Sequence, residues 1–387
     1  MQELAVQTKQ IGYPVLPLVK QLVSLVNGVE PGLGEWAHWG TTTQDVTDTA
    51  TVLQLRDTLE IVERTLDDIV AALRDISLAH AATPMAARSN LQQAIPMTFG
   101  FKTARLLATF QRHKERLGQL LPRLLVLEFG GAVGTLATLA DTGVALEVQR
   151  QLAEELKLGV PDIAWHTERD RIAEAGAFLA MVTGTCAKSA LDIKLLMQTE
   201  VAEVSEPFYP HRGSSSTMPQ KRNPISCVYI TAMASTIRQL STALLDAMVQ
   251  DHERSTGPWE IEWIVLPQIC TLSHATLQQT RDLVRGLEVH PDTMRRNLQL
   301  TRGAIVSEAA MMKLGITLGR QAAHDLIYDE CRKLAAADAG EKTLAALLAD
   351  NPEVKKAGIG RVELEDMCDP EKYLGLCVDM IRKILDK

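Results

Sequence analysis

The longest regular patterns in this chain place apolar residues at spacings of three and four, which is the period of an amphipathic helix. The clearest example runs from Asp48 to Ala82 without proline or glycine, and its apolar face consists of Leu55, Leu59, Val62, Leu66, Ile69, Leu73 and Ile76. Similar patterns predict long helices from Pro96 toward Phe129, and over 167–206, 224–251 and 259–287. Helices of this length exceed what one compact domain needs, so we expect them to pack on other subunits.

The remaining patterns favour helix as well. Only 4% of the residues are aromatic, and no Val-, Ile- and Thr-rich run with alternating polarity is bounded by turn residues. After Gly286 the helical segments become shorter and are separated by prolines and glycines. We therefore predict an all-α fold with a long central helical bundle over residues 46–290, a smaller C-terminal helical domain over 291–387, and an N-terminal helical remnant over 1–45.

Composition and charge exclude several classes of protein. No apolar run approaches the roughly 20 residues that a membrane-spanning helix needs, and the first residues do not resemble a targeting sequence. The net charge of −8 disfavours a nucleic-acid partner. The six cysteines are widely spaced and lack metal-ligand spacing, which is typical of buried thiols in a reducing compartment. We expect a cytoplasmic protein with no metal site.

The segment from Gly213 to Pro224 is the richest in side chains suited to catalysis and anion binding. It joins two predicted helices and contains three serines, followed by Lys221, Arg222 and Asn223 directly before a helix that begins with proline. A helix N-terminus beside two cations forms an anion site, and the same charges lower the cost of ionising a neighbouring serine hydroxyl. The alternative is a serine-rich connector whose cations are merely solvated.

The run Ser-Ser-Thr-Met-Pro-Gln-Lys-Arg-Asn-Pro at 215–224 resembles the signature of the fumarase/aspartase superfamily. Aligned on Met218-Pro219, the catalytic serine of that family corresponds to Ser215. The lysine and asparagine that bind substrate carboxylate and support the loop correspond to Lys221 and Asn223. Ser214 occupies a position that is usually glycine.

Two further segments resemble the other signature regions of the superfamily, in the expected order. His38-Trp-Gly-Thr-Thr-Thr-Gln-Asp45 resembles the substrate-binding turn, and places Thr42, Thr43 and Gln44 against a carboxylate. From spacing alone, these residues could equally form a helix N-cap without a ligand. The segment 88–94 resembles the second region, and implies that Ser89, Asn90 and Gln93 orient the substrate.

Asn90 stands where fumarases and adenylosuccinate lyases carry a proton-transferring histidine. Because asparagine donates hydrogen bonds but cannot shuttle a proton at neutral pH, it argues against those two activities. The segments around Trp165-His166 and His252 resemble the 3-carboxy-cis,cis-muconate cycloisomerase branch. His166 is therefore a candidate catalytic residue, although a lone histidine is more often structural. Glu253 and Arg254 could form an ion pair on a helix face.

The resemblance implies a cofactor-independent enzyme with an L-aspartase-like fold. It would act on a small polycarboxylate through an aci-carboxylate carbanion, with active sites shared between the subunits of a homotetramer. The predicted activity is that of a 3-carboxy-cis,cis-muconate cycloisomerase. The alternatives are a lyase that releases fumarate from a succinyl-amine, such as an adenylosuccinate or argininosuccinate lyase, another polycarboxylate enzyme, or a catalytically silent paralogue. Superfamily members carry a helical portion ahead of the equivalent of Met1, so we expect a shortened N-terminal domain.

Overall fold

The computed structural model describes residues 2–254, 257–336 and 340–386. Helices dominate these residues, as the all-α prediction requires. The α-helices are, in chain order, α1 Gln2–Ile11, α2 Val15–Val29, α3 Thr43–Ala79, α4 Phe99–Leu124, α5 Ala137–Ala140, α6 Ala145–Leu156, α7 Asp170–Leu196, α8 Ile225–Asp246, α9 Pro258–Arg285, α10 Pro291–Leu298, α11 Ser307–Leu318, α12 Arg320–Ala335, α13 Leu344–Asp350, α14 Pro352–Lys356, α15 Arg361–Met367 and α16 Cys377–Leu385. Short 3-10 helices lie at Leu33–Trp36, Ala304–Val306 and Pro370–Lys372.

The five predicted long helices correspond to α3, α4, α7, α8 and α9, with ends shifted by several residues. Helix α3 begins earlier than predicted, because Asp45 in its first turn accepts the backbone N–H of Thr42 (2.9 Å) and so stabilises the helix start. Its predicted apolar face is largely buried, with Leu55, Leu59 and Leu66 almost inaccessible to solvent. The helices after residue 290 are shorter, as the sequence indicates.

The described chain forms two compact units whose segments alternate along the sequence. Unit 1 comprises residues 1–66, 112–186 and 230–278, and unit 2 comprises 67–111, 187–229 and 279–387. The predicted boundaries near residues 45 and 290 remain a prediction. In unit 1, the segments that follow α4 are anchored by a small apolar cluster of Leu127, Phe129, Leu139 and Ala153.

Unit 2 contains the strands, which the sequence did not predict. Strand β1 (Pro84–Ser89) pairs antiparallel with β2 (Gln92–Thr98), and the two-residue strands β3 (Val204–Ser205) and β4 (Glu288–Val289) pair with each other. The β1–β2 hairpin turns at Asn90 and Leu91, both with left-handed backbone conformation (φ 50° and 62°). Its register is irregular between Ala86 and Arg88, and Pro96 lies inside β2, so the alternation that identifies a strand is lost.

The C-terminal helices of unit 2 share an apolar core. The buried members include Leu298 of α10, Val306 of the following 3-10 helix, Leu314 of α11, and Leu344 and Leu348 of α13, together with Ala86 of β1. This packing attaches the hairpin to the C-terminal helices within the same unit. Among the residues that the structure describes, no helix combines the length and apolar character needed to cross a membrane.

Candidate active site

The serine loop at 213–223 of unit 2 is closed at its base. The carbonyl of Gly213 accepts both the backbone N–H (3.0 Å) and the side-chain Nδ2 (2.9 Å) of Asn223. Ser214 and Arg222 form a β-bridge beside this contact. Gly213 has φ 70°, and a Cβ atom there would lie 2.5 Å from the Asn223 carbonyl, so only glycine fits. Asn223 therefore holds the two ends of the loop together.

Ser215 lies within this closed loop and is half-buried. Its Oγ accepts the backbone N–H of Met218 (3.1 Å) and of Thr217 (3.3 Å), and lies 3.4 Å from the Thr217 hydroxyl. Backbone N–H groups aimed at one oxygen stabilise negative charge on it. The local fold thus suits a serine that becomes an alkoxide.

The helix N-terminus behind the loop is not open to a ligand, contrary to the anion site predicted from the sequence. The buried carboxylate of Glu206 accepts the N–H groups of Ser226 (3.0 Å) and Cys227 (2.8 Å) in the first turn of α8. Arg222 is engaged too, since it donates to the Glu206 carbonyl (2.9 Å) and pairs with Glu288 (3.3 Å). Lys221 is exposed, and its ammonium contacts no carboxylate among the described residues. Of the two predicted cations, Lys221 is the available one.

The hairpin turn of unit 2 exposes Ser89 and Asn90. Neither side chain forms a hydrogen bond within the described part of the chain. The left-handed backbone at Asn90 gives a structural reason for asparagine, which tolerates this conformation better than most residues. Gln93 is different, because its Nε2 donates to the carbonyl of Asn297 (2.9 Å). Gln93 thus contributes to holding the hairpin.

The same hairpin is supported by a buried carboxylate that no sequence motif indicates. The carboxylate of Glu203 accepts hydrogen bonds from both terminal nitrogens of Arg88 (2.6 and 2.9 Å) and from Nδ2 of Asn297 (2.8 Å). The bidentate pair fixes the end of β1 directly before Ser89. Residues 88 and 203 are far apart in sequence, and no local pattern links them.

In unit 1, the predicted substrate-binding turn forms the N-terminus of α3. Thr42 and Thr43 are half-buried, and no hydrogen bond joins their hydroxyl groups to other described residues. Gln44 is buried and fully engaged: its Nε2 donates to the His166 carbonyl (2.7 Å) and to Asp48 (3.0 Å), and its Oε1 accepts from Arg254 (3.0 Å). The two threonines are therefore available to a ligand, whereas Gln44 holds the turn in place.

His166 is buried in unit 1, and its Nε2 lies beside two carboxyl groups. Its Nε2 is 2.7 Å from Asp45 Oδ1 and 3.5 Å from Glu128 Oε1. These three side chains are of types that bind metals. However, the oxygens of Asp45 also accept the N–H groups of Thr42, Gly130 and Gly131, and a 2.7 Å separation is that of a hydrogen bond. We interpret the group as a hydrogen-bonded cluster.

A buried ion triad lies one helical turn further along α3. Arg169 donates twice to Asp48 (2.6 and 3.0 Å) and twice to Glu262 (2.6 and 2.9 Å). Trp259 Nε1 also donates to Asp48 (3.1 Å). Arg254 does not pair with Glu253: its guanidinium donates to Gln44 and to the carbonyls of residues 131 and 132. His252 is exposed.

The predicted site residues therefore fall into two local groups. Unit 1 holds Thr42, Thr43, Gln44 and His166 at the start of α3, and unit 2 holds Ser89, Asn90 and Gln93 on the hairpin and Ser215, Lys221 and Asn223 on the serine loop. In each group, some side chains maintain the local fold and others form no hydrogen bond among the residues that the structure describes. The side chains available for chemistry are those of Thr42, Thr43, Ser89, Asn90, Ser215 and Lys221.

Two family models match the chain. One is described as "Lyase" and matches residues 2–238, and the other is described as "Adenylosuccinate lyase C-terminus" and matches residues 303–384. Together the two matches cover most of the chain. The first match contains every predicted site residue.

Individual relatives are similar over nearly the full length of the chain. Trans-aconitate decarboxylase 1 of Mycosarcoma maydis is 54% identical over 98% of this chain and 76% of its own length. The 3-carboxy-cis,cis-muconate cycloisomerase of Pseudomonas aeruginosa is 44% identical over 94% of this chain and 78% of its own. The crystal structure of the 3-carboxy-cis,cis-muconate lactonizing enzyme from Pseudomonas putida is 41% identical, covers 100% of this chain and 84% of that chain, and superposes with a TM-score of 0.91.

Proposed function

The chain belongs to the fumarase/aspartase superfamily of lyases and cycloisomerases, and from this premise we propose that it acts on an unsaturated tricarboxylate through an aci-carboxylate carbanion. The proposal gives Ser215 the proton-transfer role. In this proposal, Thr42, Thr43 and Lys221 bind the substrate carboxylates. Ser89 and Asn90 orient the substrate.

The observation that carries this proposal is the environment of the Ser215 hydroxyl. When a serine donates a proton to carbon, an alkoxide remains. The backbone N–H groups of Thr217 and Met218, which already point at Oγ (3.3 and 3.1 Å), would stabilise that alkoxide. Because these donors are part of the loop backbone, they need no rearrangement during the reaction.

The available side chains suit a substrate with several carboxylates. Lys221 is a cation without an anionic partner among the described residues, and the hydroxyls of Thr42 and Thr43 stand at the start of a long helix, whose dipole favours anions. The resemblance implies that one complete site combines regions from three subunits. We propose the same arrangement in a homotetramer of this chain.

The names of the relatives suggest the substrate class. Trans-aconitate and 3-carboxy-cis,cis-muconate are both tricarboxylates with a carbon–carbon double bond. The higher identity to the decarboxylase, 54% against 44%, favours trans-aconitate as the first substrate to test. Cycloisomerisation of 3-carboxy-cis,cis-muconate is the second candidate, and it is supported by the 44% relative.

Both reactions require Ser215 to protonate a carbon next to a carboxylate. In decarboxylation, the bond to the departing CO₂ breaks, and its electron pair moves through the double bond to the carbon next to another carboxylate. In cycloisomerisation, a carboxylate oxygen of the substrate adds to the double bond, and the electron pair again reaches a carbon next to a carboxylate. In each case the aci-carboxylate is quenched when Ser215 Oγ–H protonates that carbon, and water then reprotonates the alkoxide.

Asn90 fits reactions of this kind. It cannot transfer a proton, but its side-chain amide is free to donate a hydrogen bond to a carboxylate oxygen. A lyase that releases fumarate from a succinyl-amine must also protonate the departing nitrogen, which asparagine cannot do. We therefore place that activity below the two tricarboxylate reactions.

The test is a substrate panel with the full chain. Trans-aconitate is assayed by CO₂ release, 3-carboxy-cis,cis-muconate by loss of diene absorbance, and adenylosuccinate by its own absorbance change. Turnover of either tricarboxylate without turnover of adenylosuccinate supports the proposal. Turnover of adenylosuccinate alone would replace it with the succinyl-amine lyase, and a folded protein that binds none of the three would indicate a silent paralogue.

Exposed apolar side chains on the long helices support the proposed homotetramer. Ile264 on α9 is 65% exposed, Tyr229 on α8 is 58% exposed, and Met181 on α7 is 48% exposed. Large apolar residues at the surface of rigid helices are typical of subunit interfaces. Light scattering coupled to size-exclusion chromatography measures the mass directly, and a monomer at micromolar concentration would contradict the assembly. A cytoplasmic location remains a prediction.

A further inference from the structure

The cluster of Asp45, His166 and Glu128 in unit 1 has no role in the proposed chemistry, yet it is almost completely buried. The exposed fractions of the three residues are 3%, 4% and 1%. Two carboxyl groups and one imidazole are rarely buried together without a specific reason, because desolvating charges is costly.

Asp45 connects this cluster to the substrate-binding turn. Its Oδ2 accepts the N–H of Thr42 (2.9 Å) and of Gly131 (2.9 Å), and its Oδ1 accepts the N–H of Gly130 (3.0 Å) and Nε2 of His166 (2.7 Å). One carboxylate thus joins the start of α3, the glycine loop at 130–131 and the histidine. The position of Thr42 depends directly on Asp45.

Glu128 completes the cluster beside the same nitrogen of the imidazole ring. Its Oε2 accepts the N–H of Trp165 (2.7 Å), and its backbone is held by two hydrogen bonds with Thr49. Its Oε1 has no hydrogen-bond partner among the described residues and lies 3.5 Å from His166 Nε2. Two carboxyl oxygens therefore face one ring nitrogen.

The surrounding charges do not compensate a second buried carboxylate. On α3, Asp48 adds a further negative charge, but Arg169 pairs with it and with Glu262 of α9. Arg254 donates to carbonyl and amide oxygens near the glycine loop. Burial lowers the pKa of His38 at the start of the turn, although the charge of Asp45 acts to raise it. Burial raises the pKa of Glu128 to about 7, although nearby His166 acts to lower it.

We propose that Asp45 is a positioning residue for the substrate-binding turn at Thr42 and Thr43, and that the protonated carboxyl group of Glu128, packed beside His166, maintains it there. The inference rests on the proposed function, which assigns that turn to a substrate carboxylate. When Glu128 loses its proton, its carboxylate and that of Asp45 repel each other beside His166 Nε2, the Asp45 contacts weaken, and the turn binds carboxylate less well.

The test measures the dissociation constant of trans-aconitate by titration calorimetry at pH 6 and pH 8. If binding needs the protonated cluster, a pKa of about 7 leaves roughly nine-tenths of the sites competent at pH 6 and one-tenth at pH 8, so affinity should fall about tenfold. Glu128→Gln, which mimics the protonated carboxyl, should change less than twofold. Glu330→Gln removes a buried carboxyl of unit 2 and should keep the wild-type profile.

A measurement on the unmodified chain guards against a variant that folds poorly. Binding at pH 8 should take up most of one proton. Proton uptake is measured by repeating the calorimetry in buffers that differ in their ionisation enthalpy. Asp45→Asn should raise the dissociation constant at both pH values, while Asp45→Glu should restore part of the affinity. No proton uptake, or a Glu128→Gln profile that follows the wild type, would overturn the proposal, as would a stoichiometric metal ion lost in Glu128→Gln.

Failure of the proposed function gives a different result. In that case trans-aconitate and 3-carboxy-cis,cis-muconate do not bind the wild-type chain at any pH. The protonation of Glu128 is then still tested by melting temperature: the wild type should lose stability relative to Glu128→Gln as pH rises from 5 to 8, and parallel curves would refute it.

Discussion

Ser215 and Ser216 are neighbours in one loop but differ in their surroundings. The hydroxyl of Ser215 accepts two backbone N–H groups, whereas Ser216 is exposed and its side chain forms no hydrogen bond within the described residues. We predict that Ser215→Ala lowers kcat by about 10³-fold, within the usual range for loss of a proton-transfer group. Steady-state kinetics on the active substrate measure the effect.

Ser216→Ala is the matched control for that change, since it removes a hydroxyl from the same loop. It should retain kcat within a few-fold, and both variants should keep the wild-type mass in solution. Equal losses in the two variants would mean that the loop acts through its general conformation rather than through Ser215.

Lys221 allows a second prediction at the residue scale. Because its ammonium has no carboxylate partner among the described residues, its removal should cost substrate binding and little stability. Lys221→Gln should raise the dissociation constant of the tricarboxylate by about 10- to 100-fold, as expected for one charge-assisted contact of roughly 1.5–3 kcal/mol. Titration calorimetry measures this, and Lys356→Gln on the surface helix α14 should leave the affinity unchanged. A dissociation constant within twofold of wild type would remove Lys221 from the site.

At the scale of elements, the turn of the β1–β2 hairpin contains a residue with an unfavourable backbone conformation. Leu91 has a left-handed backbone (φ 62°), which is unfavourable for a side chain of this kind, and it is 76% exposed. Its conformation is imposed by the two-residue turn rather than by packing within the described chain. Strain at the tip of a hairpin that carries Ser89 and Asn90 agrees with a functional constraint on this turn.

Leu91→Gly should therefore stabilise the chain by roughly 1 kcal/mol, because glycine adopts the left-handed conformation without steric cost. Urea denaturation measures the difference in free energy of unfolding. Asn90→Gly is the control and should have a smaller effect, since asparagine already tolerates this conformation. A destabilised Leu91→Gly would show that the leucine side chain contributes contacts, such as those with another subunit.

The sequence predicted these elements unevenly, and the reasons are physical. Helix α3 was predictable because its apolar period persists over many turns. The hairpin was not, because Pro96 and the irregular register at Ala86 and Arg88 hide the strand pattern, and its turn is Asn-Leu rather than the usual Asn-Gly. The serine loop was identified by its motif. The supporting carboxylates Glu203 and Glu206 were missed, since their partners are remote in sequence.

At the scale of the whole molecule, two buried groups give opposite dependences of stability on pH. Burial raises the pKa of Glu128 from an ordinary 4.5 to about 7, so its contribution is present at acid pH and is lost as pH rises through 7. Burial, with nearby Arg116 and Arg112, lowers the pKa of His113 from 6.5 to about 4, so its contribution is lost as pH falls toward 4. The net stability profile of the wild type should therefore be flatter than either group alone predicts.

Comparison with Glu128→Gln isolates one of these contributions. The free energy of unfolding of the wild type, relative to this variant, should decrease by about 3 kcal/mol between pH 4 and pH 8, from 1.36 kcal/mol per unit of pKa difference. Denaturant titrations at several pH values measure it. If the difference instead increased with pH, Glu128 would be ionised and paired in the folded state.

The Glu206 carboxylate at the start of α8 has a consequence for product release. An uncapped helix N-terminus next to Lys221 would attract any polyanion strongly, and it would retain the charged product as firmly as the substrate. The Glu206 carboxylate occupies the amides of Ser226 and Cys227, and Lys221 is then the cation of the serine loop without a carboxylate partner among the described residues. If Lys221 binds the substrate as proposed, we expect the internal carboxylate to favour release of the charged product over its tight retention.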